Sequence, residues 1–68
     1  MPERLANRLR EVREAKGLTQ AQLAEAIGVS RKTVNTVENG VFVPSTIVAL
    51  KLAAALERQL EELFFLVE

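Results

Sequence analysis

The feature that most constrains the fold is a pair of short helix-forming segments separated by a three-residue turn that contains glycine. Thr19 begins the first segment, because its hydroxyl can accept from the amide of Gln22 while the Gln22 side chain reaches back, as in a capping box. Gly28 ends this segment, since glycine adopts the left-handed conformation without steric cost. Ser30 is a favourable N-cap for the second segment, which we predict over residues 31–38. The sequence therefore predicts two short helices in immediate succession.

A further helix is predicted near the N-terminus, where apolar residues recur at spacings of four and three, at Leu5, Leu9 and Val12. This spacing places them on one helical face and turns the charged residues between them outward. Pro2 suits the first position of such a helix and Gly17 its left-handed end, so we predict it over residues 2–16.

The second half of the chain is predicted to be helical as well. Ser45 is an N-cap for a fourth helix that is apolar on nearly every side and interrupted mainly by Lys51, which indicates burial on several sides. Residues 57–63 contain strong helix formers, and no Gly or Pro separates them from the fourth helix. Either a fifth helix begins there or the fourth helix continues.

Composition excludes most enzymes. The chain has 68 residues, 49% hydrophobic and 26% charged, with zero net charge, which is typical of one small globular domain. It contains no Cys, His, Asp, Tyr or Trp. Thiol nucleophiles, imidazole bases and His or Cys metal sites are therefore excluded, and we expect no enzyme, metal, cofactor or small-molecule ligand. Without an apolar run long enough for a membrane span, or a signal-peptide pattern, we expect a cytoplasmic protein with no membrane partner.

The two consecutive short helices have the arrangement of a DNA-reading helix-turn-helix. Val34 and Val37 turn one side of the second helix towards the core, so the opposite side is polar and open. Its donors and methyl groups suit base edges in the major groove. The candidate base-contacting residues are Arg31, Lys32, Asn35 and Thr36. On an isolated surface helix, the alternative is that these side chains are merely solvated.

Polar residues at the helix ends are candidates for phosphate contacts, namely Thr19, Gln20, Ser30 and Asn39. Free amides and the helix dipole favour a phosphate oxygen at a helix N-terminus. Capping or turn formation alone would also explain these residues. Residues 1–40 carry a net charge of +2 and residues 41–68 a net charge of −2. We therefore expect the first half of the chain to face the negatively charged DNA.

The sequence resembles the Cro and phage-repressor family of helix-turn-helix regulators over nearly its whole length. The matching positions are Gly17-Leu18-Thr19-Gln20, Leu23-Ala24, Ile27-Gly28-Val29-Ser30, Val34, Val37 and Glu38-Asn39-Gly40. The resemblance implies an all-α fold, a compact four- to five-helix bundle of the lambda-repressor-like DNA-binding type, with a short C-terminal strand as an option. It also implies a single domain over residues 1–68, with the helix-turn-helix at about 20–39. The implied function is a transcriptional repressor whose partner is double-stranded DNA.

The resemblance further implies roles for individual residues. Gln20 would touch the DNA backbone and orient Arg31, and Arg13 would form a buried ion pair with Glu38 that fixes the third helix against the first. Relatives often carry Lys or Arg after the glycine that ends the third helix. This chain has Val-Phe-Val at residues 41–43, so a phosphate contact is missing there.

The C-terminal segment, residues 57–68, is predicted to form a homodimer interface. Its apolar run continues past the point where the core is filled and consists of Phe64, Phe65, Leu66 and Val67. A small monomer seldom exposes such a patch. The alternative is a tail folded back on its own domain. Two-fold symmetry would place the reading helices about 34 Å apart on a near-palindromic operator. Two other functions remain open: the antitoxin of a toxin–antitoxin pair, with a toxin or other protein partner, and a protein-binding adaptor that has lost DNA reading.

Overall fold

The computed structural model describes residues 3–68. Its elements in chain order are β1 (Arg4–Asn7), α1 (Leu9–Ala15), α2 (Gln20–Ile27), α3 (Arg31–Glu38), α4 (Thr46–Leu56), α5 (Leu60–Leu63) and β2 (Phe64–Val67). The predicted bounds of α2 and α3 are confirmed, as are the capping box of Thr19 with Gln22 and the N-caps Ser30 and Ser45. The mostly helical class with a short C-terminal strand is confirmed too. No helix in the described range is long and apolar enough to cross a membrane.

The N-terminal segment differs from its prediction. Residues 4–7 form β1, and α1 begins only at Leu9. Leu5 therefore does not share a helical face with Leu9; it is paired with Leu66 across an antiparallel ladder and is 36% exposed. Pro2, predicted as the first helical position, lies outside the described residues. The spacing of Leu5 matched a helix, but pairing with a distant strand overrode that local pattern.

The partner of β1 is the apolar C-terminal run, which forms β2. The register pairs Arg4 with Val67 and Asn7 with Phe64. Phe64 is 8% exposed and belongs to the core of its own domain, whereas Leu66 is 62% exposed. Thus the tail folds back on its own domain, which was the alternative to a purely intermolecular role, and part of its apolar surface is still in solvent.

The helices enclose one core. Its most deeply buried side chains are Leu9, Leu23, Leu52, Leu56, Leu63, Val34 and Val37. Ala24, a small residue, is buried on α2, which packs against both α3 and α4. Gly28 adopts a left-handed conformation with φ 74°, which allows the sharp turn between α2 and α3. Packing thus fixes the back of α3 and leaves its polar side outward.

Helices α4 and α5 are separate, which settles the alternative left open by the sequence. Helix α4 ends at Leu56, and Glu57 is left-handed with φ 57° and ψ 43°. Helix α5 then starts after Gln59, whose backbone amide donates to the Glu62 carboxylate at 2.8 Å. Glu57 also forms an ion pair with Lys16. A side chain at a left-handed position is strained, so this turn carries a local cost.

Replacing Glu57 with glycine is expected to stabilise the domain. Glu57→Gly removes the Cβ that disfavours the left-handed conformation, and the exposed ion pair that it loses contributes little. We expect the Tm, measured by circular dichroism, to rise by a few degrees. Glu57→Ala is the matched control, because it loses the same ion pair and keeps the Cβ. Equal Tm values for the two variants would contradict the strain argument.

Candidate nucleic-acid interface

Helix α3 presents a polar face that its apolar side holds in place. Val34 and Val37 are each 1% exposed and anchor the helix in the core. On the other side are the four predicted base-contacting residues: Arg31 and Lys32 are exposed, and Asn35 and Thr36 are half-buried. The structure thus brings them together on one open helical face at the width of a single helix, which fits the major groove.

The Thr36 hydroxyl donates its hydrogen within its own helix. Its Oγ1 donates to the carbonyl oxygens of Lys32 at 3.0 Å and Thr33 at 3.1 Å. Because a hydroxyl has only one hydrogen, this bond occupies the donor inside the helix. The groups left for an outside contact are the hydroxyl lone pairs, which can accept, and the methyl, which matches the C5-methyl of thymine.

Gln20 braces α3, but through residues other than the one that the resemblance implied. Its Oε1 accepts from Asn35 Nδ2 at 3.5 Å, and its Nε2 donates to Glu38 Oε1 at 3.0 Å. The expected orientation of Arg31 by Gln20 is therefore replaced by contacts to Asn35 and Glu38. The reason is position along the helix: Arg31 lies at the exposed first residue of α3, one turn before Asn35.

Arg13 and Glu38 join α1 to the end of α3. Arg13 Nε donates to Glu38 Oε2 at 2.6 Å and Arg13 Nη2 donates to Oε1 at 3.2 Å. The two side chains are 9% and 0% exposed. A third guanidinium nitrogen, Nη1, donates to the carbonyl of Leu18 at 2.8 Å. The pair is therefore buried and bidentate, which makes it strong and geometrically specific.

The environment of Glu38 favours its ionised form. Burial raises the pKa of its carboxyl, but hydrogen bonds from Arg13 and Gln20, the charge of Arg13 and a hydrogen bond from Arg10 together lower it further, so the pKa lies below the ordinary value. The hydrogen bond to Glu38 in turn raises the pKa of Arg13. The pair is thus ionised at neutral pH and fixes α3 by charge as well as by packing.

Two residues of this region have roles that were not predicted from the sequence. Arg10 donates from Nε to Glu38 Oε1 at 3.3 Å and from Nη2 to Asn39 Oδ1 at 3.1 Å. Its position, three residues before Arg13 and hence on the same side of α1, was the available signal. Asn7 donates from Nδ2 to the Val37 carbonyl at 3.0 Å, across a separation in sequence that no local pattern reveals.

Thr19 and Ser30 act as caps and remain able to donate. Thr19 Oγ1 accepts from the Gln22 amide at 3.0 Å, and Ser30 Oγ accepts from the Thr33 amide at 3.2 Å. Accepting uses a lone pair of the hydroxyl and leaves its hydrogen. Ser30 Oγ also lies 3.0 Å from Thr33 Oγ1, and Thr33 can be the donor of that bond. Because both cap hydroxyls stand exposed at helix N-termini, where anions are favoured, capping and phosphate contact are compatible there.

The loop after α3 places apolar side chains beside the polar face. Val41 and Phe42 are exposed, and their amides donate to the Thr36 carbonyl at 3.0 and 3.2 Å. Together with Lys32 and Thr33 they border a shallow groove along α3. No basic side chain occurs in residues 41–43. Residues 41–43 can therefore offer van der Waals contact but no charged contact.

Comparisons with known proteins agree with this architecture. A helix-turn-helix family model matches residues 9–63. The chain is 39% identical to the uncharacterized HTH-type transcriptional regulator YgzD of Bacillus subtilis, over 94% of this chain and 97% of that protein. It is 46% identical to an uncharacterized HTH-type transcriptional regulator of Methanothermobacter thermautotrophicus, over 88% of each. The crystal structure of the restriction-modification controller protein C.AhdI from Aeromonas hydrophila is similar with a TM-score of 0.77 and 47% identity, covering 81% of this chain and 83% of that one. The resemblance to Cro-type regulators is thereby confirmed, and the chain belongs to the helix-turn-helix family of transcriptional regulators.

Proposed function

We propose that this protein is a sequence-specific repressor that binds a near-palindromic operator as a homodimer, with α3 in the major groove. The observation that carries the proposal is the polar face of α3, whose rear is fixed by buried valines and whose end is held by the Arg13–Glu38 pair. A rigid reading helix reduces the entropy lost on binding. Similarity to transcriptional regulators and to a restriction-modification controller protein supports a regulatory role.

Each residue of the face has a chemically suitable target. Arg31 and Lys32 can donate to guanine O6 and N7, Asn35 can pair with adenine N6 and N7, and the Thr36 methyl can contact thymine. The hydroxyls of Thr19 and Ser30, with Gln20 and Asn39, would contact phosphates and set the register of the helix on the duplex. Occupying the operator in this way would block polymerase.

Selection of DNA fragments tests the proposal. The purified protein is incubated with a random duplex library, and the retained fragments are sequenced. We expect a shared near-palindrome with half-sites about one helical turn apart. Because the chain has zero net charge, we expect weak non-specific binding and a low background. Retained fragments without a common motif would contradict sequence-specific reading.

The homodimer would use the exposed side of the β ribbon. Leu5 and Leu66 are cross-strand partners, and both are exposed. Within residues 3–68 the sheet has two strands, so the outer edge of β2 is unpaired. An unpaired edge with an apolar side chain next to it favours pairing with another strand. Two copies of β2 related by a two-fold axis would cover both features, with Phe65 and Val67 extending the contact and Phe64 supporting it from the core.

Changing Leu66 to arginine is expected to prevent dimerisation. Leu66→Arg places a charge in the proposed apolar contact while changing a side chain that is solvent-exposed in the monomer. We expect wild type to sediment as a dimer at micromolar concentration without DNA and this variant as a monomer. Ala54→Arg is the matched control, because it adds the same charge at an exposed α4 position that borders Ala26 and Ile27. Sedimentation of wild type as a monomer would contradict the proposal.

A protein-binding adaptor is the second candidate function. It is favoured by the exposed apolar residues Val41, Phe42 and Val43, at the place where a phosphate contact is expected in relatives. The selection experiment separates the two functions. An adaptor would retain no preferred duplex, whereas a repressor would.

A further inference from the structure

Three side-chain amides are hydrogen-bonded in series along the polar face. Arg10 binds the first of them and Glu38 the last. Arg10 Nη2 donates to Asn39 Oδ1 at 3.1 Å, and Asn39 Nδ2 donates to Asn35 Oδ1 at 3.3 Å. Asn35 Nδ2 donates to Gln20 Oε1 at 3.5 Å, and Gln20 Nε2 donates to Glu38 Oε1 at 3.0 Å. Arg10 closes the ring, because its Nε donates to Glu38 Oε1 at 3.3 Å. We call this ring of five side chains the amide relay.

The two charged ends fix the direction of every bond in the amide relay. A carboxylate such as Glu38 can only accept, so Gln20 must present its NH₂ group to it. The Gln20 oxygen then faces Asn35, so Asn35 must donate to it from its own NH₂ group. At the other end a guanidinium can only donate, so Asn39 must present its oxygen to Arg10 and its NH₂ to Asn35. Both ends impose the same orientation on the amide of Asn35.

This orientation determines what Asn35 offers to DNA. A side-chain amide has two N–H donors and two oxygen lone pairs, and the amide relay uses one of each. One donor and one acceptor remain, in an order that cannot be reversed without breaking the relay. Adenine presents the complementary pair in the major groove, an N7 acceptor and an N6 donor. A reversed amide would exchange donor and acceptor and would meet other bases.

We propose that Arg10 and Asn39 are positioning residues that fix the amide of Asn35 and so set its preference for adenine. The proposal rests on the proposed DNA-reading function, and it goes beyond it because Arg10 is on α1 rather than on the reading helix. Specificity at one base position is then determined partly by a residue that never touches the base.

The first test compares base preferences of variants at Arg10. The relevant position in the operator is the one whose preference is lost in Asn35→Ala, and preference is measured as the ratio of affinities for adenine and the other bases there. In Arg10→Met we expect this ratio to fall roughly tenfold, because Asn39 can then turn and only the long bond to Gln20 Oε1, at 3.5 Å, still orients the amide of Asn35. Arg10→Lys remains donor-only and is expected to retain most of the ratio. Arg58→Met removes the same charge from the exposed turn between α4 and α5 and serves as the control.

The ratio of affinities for adenine and the other bases distinguishes a positioning role of Arg10 from a role in phosphate binding or stability. Loss of a phosphate contact or of stability would weaken binding to all bases at that position equally and leave the ratio unchanged. Arg10 is 53% exposed and Glu38 keeps Arg13, so Arg10→Met is expected to fold. An unchanged ratio in Arg10→Met would overturn the proposal.

Substitution of Asn39 tests whether the direction of its hydrogen bond to Asn35 matters, and not only whether the bond is present. In the variant Asn39→Asp, the new carboxylate could still accept from Arg10, but it could not donate to Asn35. The Asn35 amide would turn its NH₂ towards the carboxylate and its oxygen towards that of Gln20. We therefore expect Asn39→Asp to lose more of the adenine preference than Asn39→Ala, which only releases the amide. Equal ratios in these two variants would overturn the orientation argument.

An NMR measurement without DNA distinguishes failure of this inference from failure of the proposed function. We expect slow solvent exchange and nuclear Overhauser contacts to Gln20 for the Asn35 side-chain NH₂ in wild type, and faster exchange with weaker contacts in Arg10→Met. If these signals behave as expected but wild type has no base preference, the proposed function fails. If wild type reads its operator but the Asn35 NH₂ shows no protection, the inference fails alone.

Discussion

Glu38→Gln is expected to lower the free energy of unfolding by about 3–5 kcal/mol, because it removes one partner of a buried ion pair and leaves the other charged. Glutamine has nearly the same shape, but it does not neutralise Arg13, whose side chain is only 9% exposed. The loss is comparable to the whole stability of about 3–5 kcal/mol that a core of this size supplies. Urea unfolding in the presence of a stabilising osmolyte therefore provides a measurable baseline.

The control for this variant is Glu25→Gln, which removes an exposed carboxylate from α2 and is expected to change stability little. Because α3 is held by Glu38, operator affinity should fall with stability in Glu38→Gln. Unchanged stability and unchanged affinity would show that the ion pair contributes nothing to either.

The pH dependence provides an independent arm of the same prediction. The folded-state pKa of Glu38 lies below its ordinary value of 4.5, so its stabilisation is complete above that value. As the pH falls through the folded-state pKa, the carboxylate is protonated and the stabilisation is lost. The stability difference between wild type and Glu38→Gln should therefore be largest above pH 4.5 and narrow as the pH falls below that value through the folded-state pKa. A constant difference across this range would assign the effect to shape rather than charge.

Joint replacement of Lys32 and Asn35 by alanine is expected to abolish discrimination between the operator and unrelated DNA. Each base contact contributes roughly 1–3 kcal/mol of discrimination, and a dimer makes each contact twice. We expect the double variant to lose at least a hundredfold in the ratio of specific to non-specific affinity, a value that corresponds to about 2.7 kcal/mol. Fluorescence anisotropy with operator and scrambled duplexes measures this ratio.

Lys51→Ala is the control for lost charge, because Lys51 is an exposed lysine on α4 that lies beside Ala26 and Ile27 of α2. It should leave the ratio of affinities unchanged. A double variant that binds both duplexes more weakly but in the same ratio would show that Lys32 and Asn35 contact only the DNA backbone.

The helices with local signals were predictable from the sequence, and the N-terminal strand β1 was not. Thr19, Ser30 and Ser45 cap helices through bonds to amides within three residues, so short-range patterns predict them. Leu5 shows the limit of such patterns. Its spacing to Leu9 fits a helix, but its conformation is decided by pairing with Leu66 at the far end of the chain.

The candidate site divides in the same way. The polar face of α3 follows from the positions of Val34 and Val37, because helical periodicity alone places the remaining side chains opposite them. The partners of Gln20 do not follow, since they depend on how α2 crosses α3 and on where Arg10 arrives from α1. Periodicity within one helix contains no information about these crossings.

The β ribbon gives the reading helix a mechanical link to the opposite side of the domain. Asn7 lies opposite Phe64 in the ladder and donates to the Val37 carbonyl in the last turn of α3. A shift of β2 that moved Asn7 would therefore reach the last turn of α3 through one side-chain amide. Under the proposed function, a second copy bound to the ribbon would act on α3 through this hydrogen bond, and dimer assembly would be coupled to operator choice.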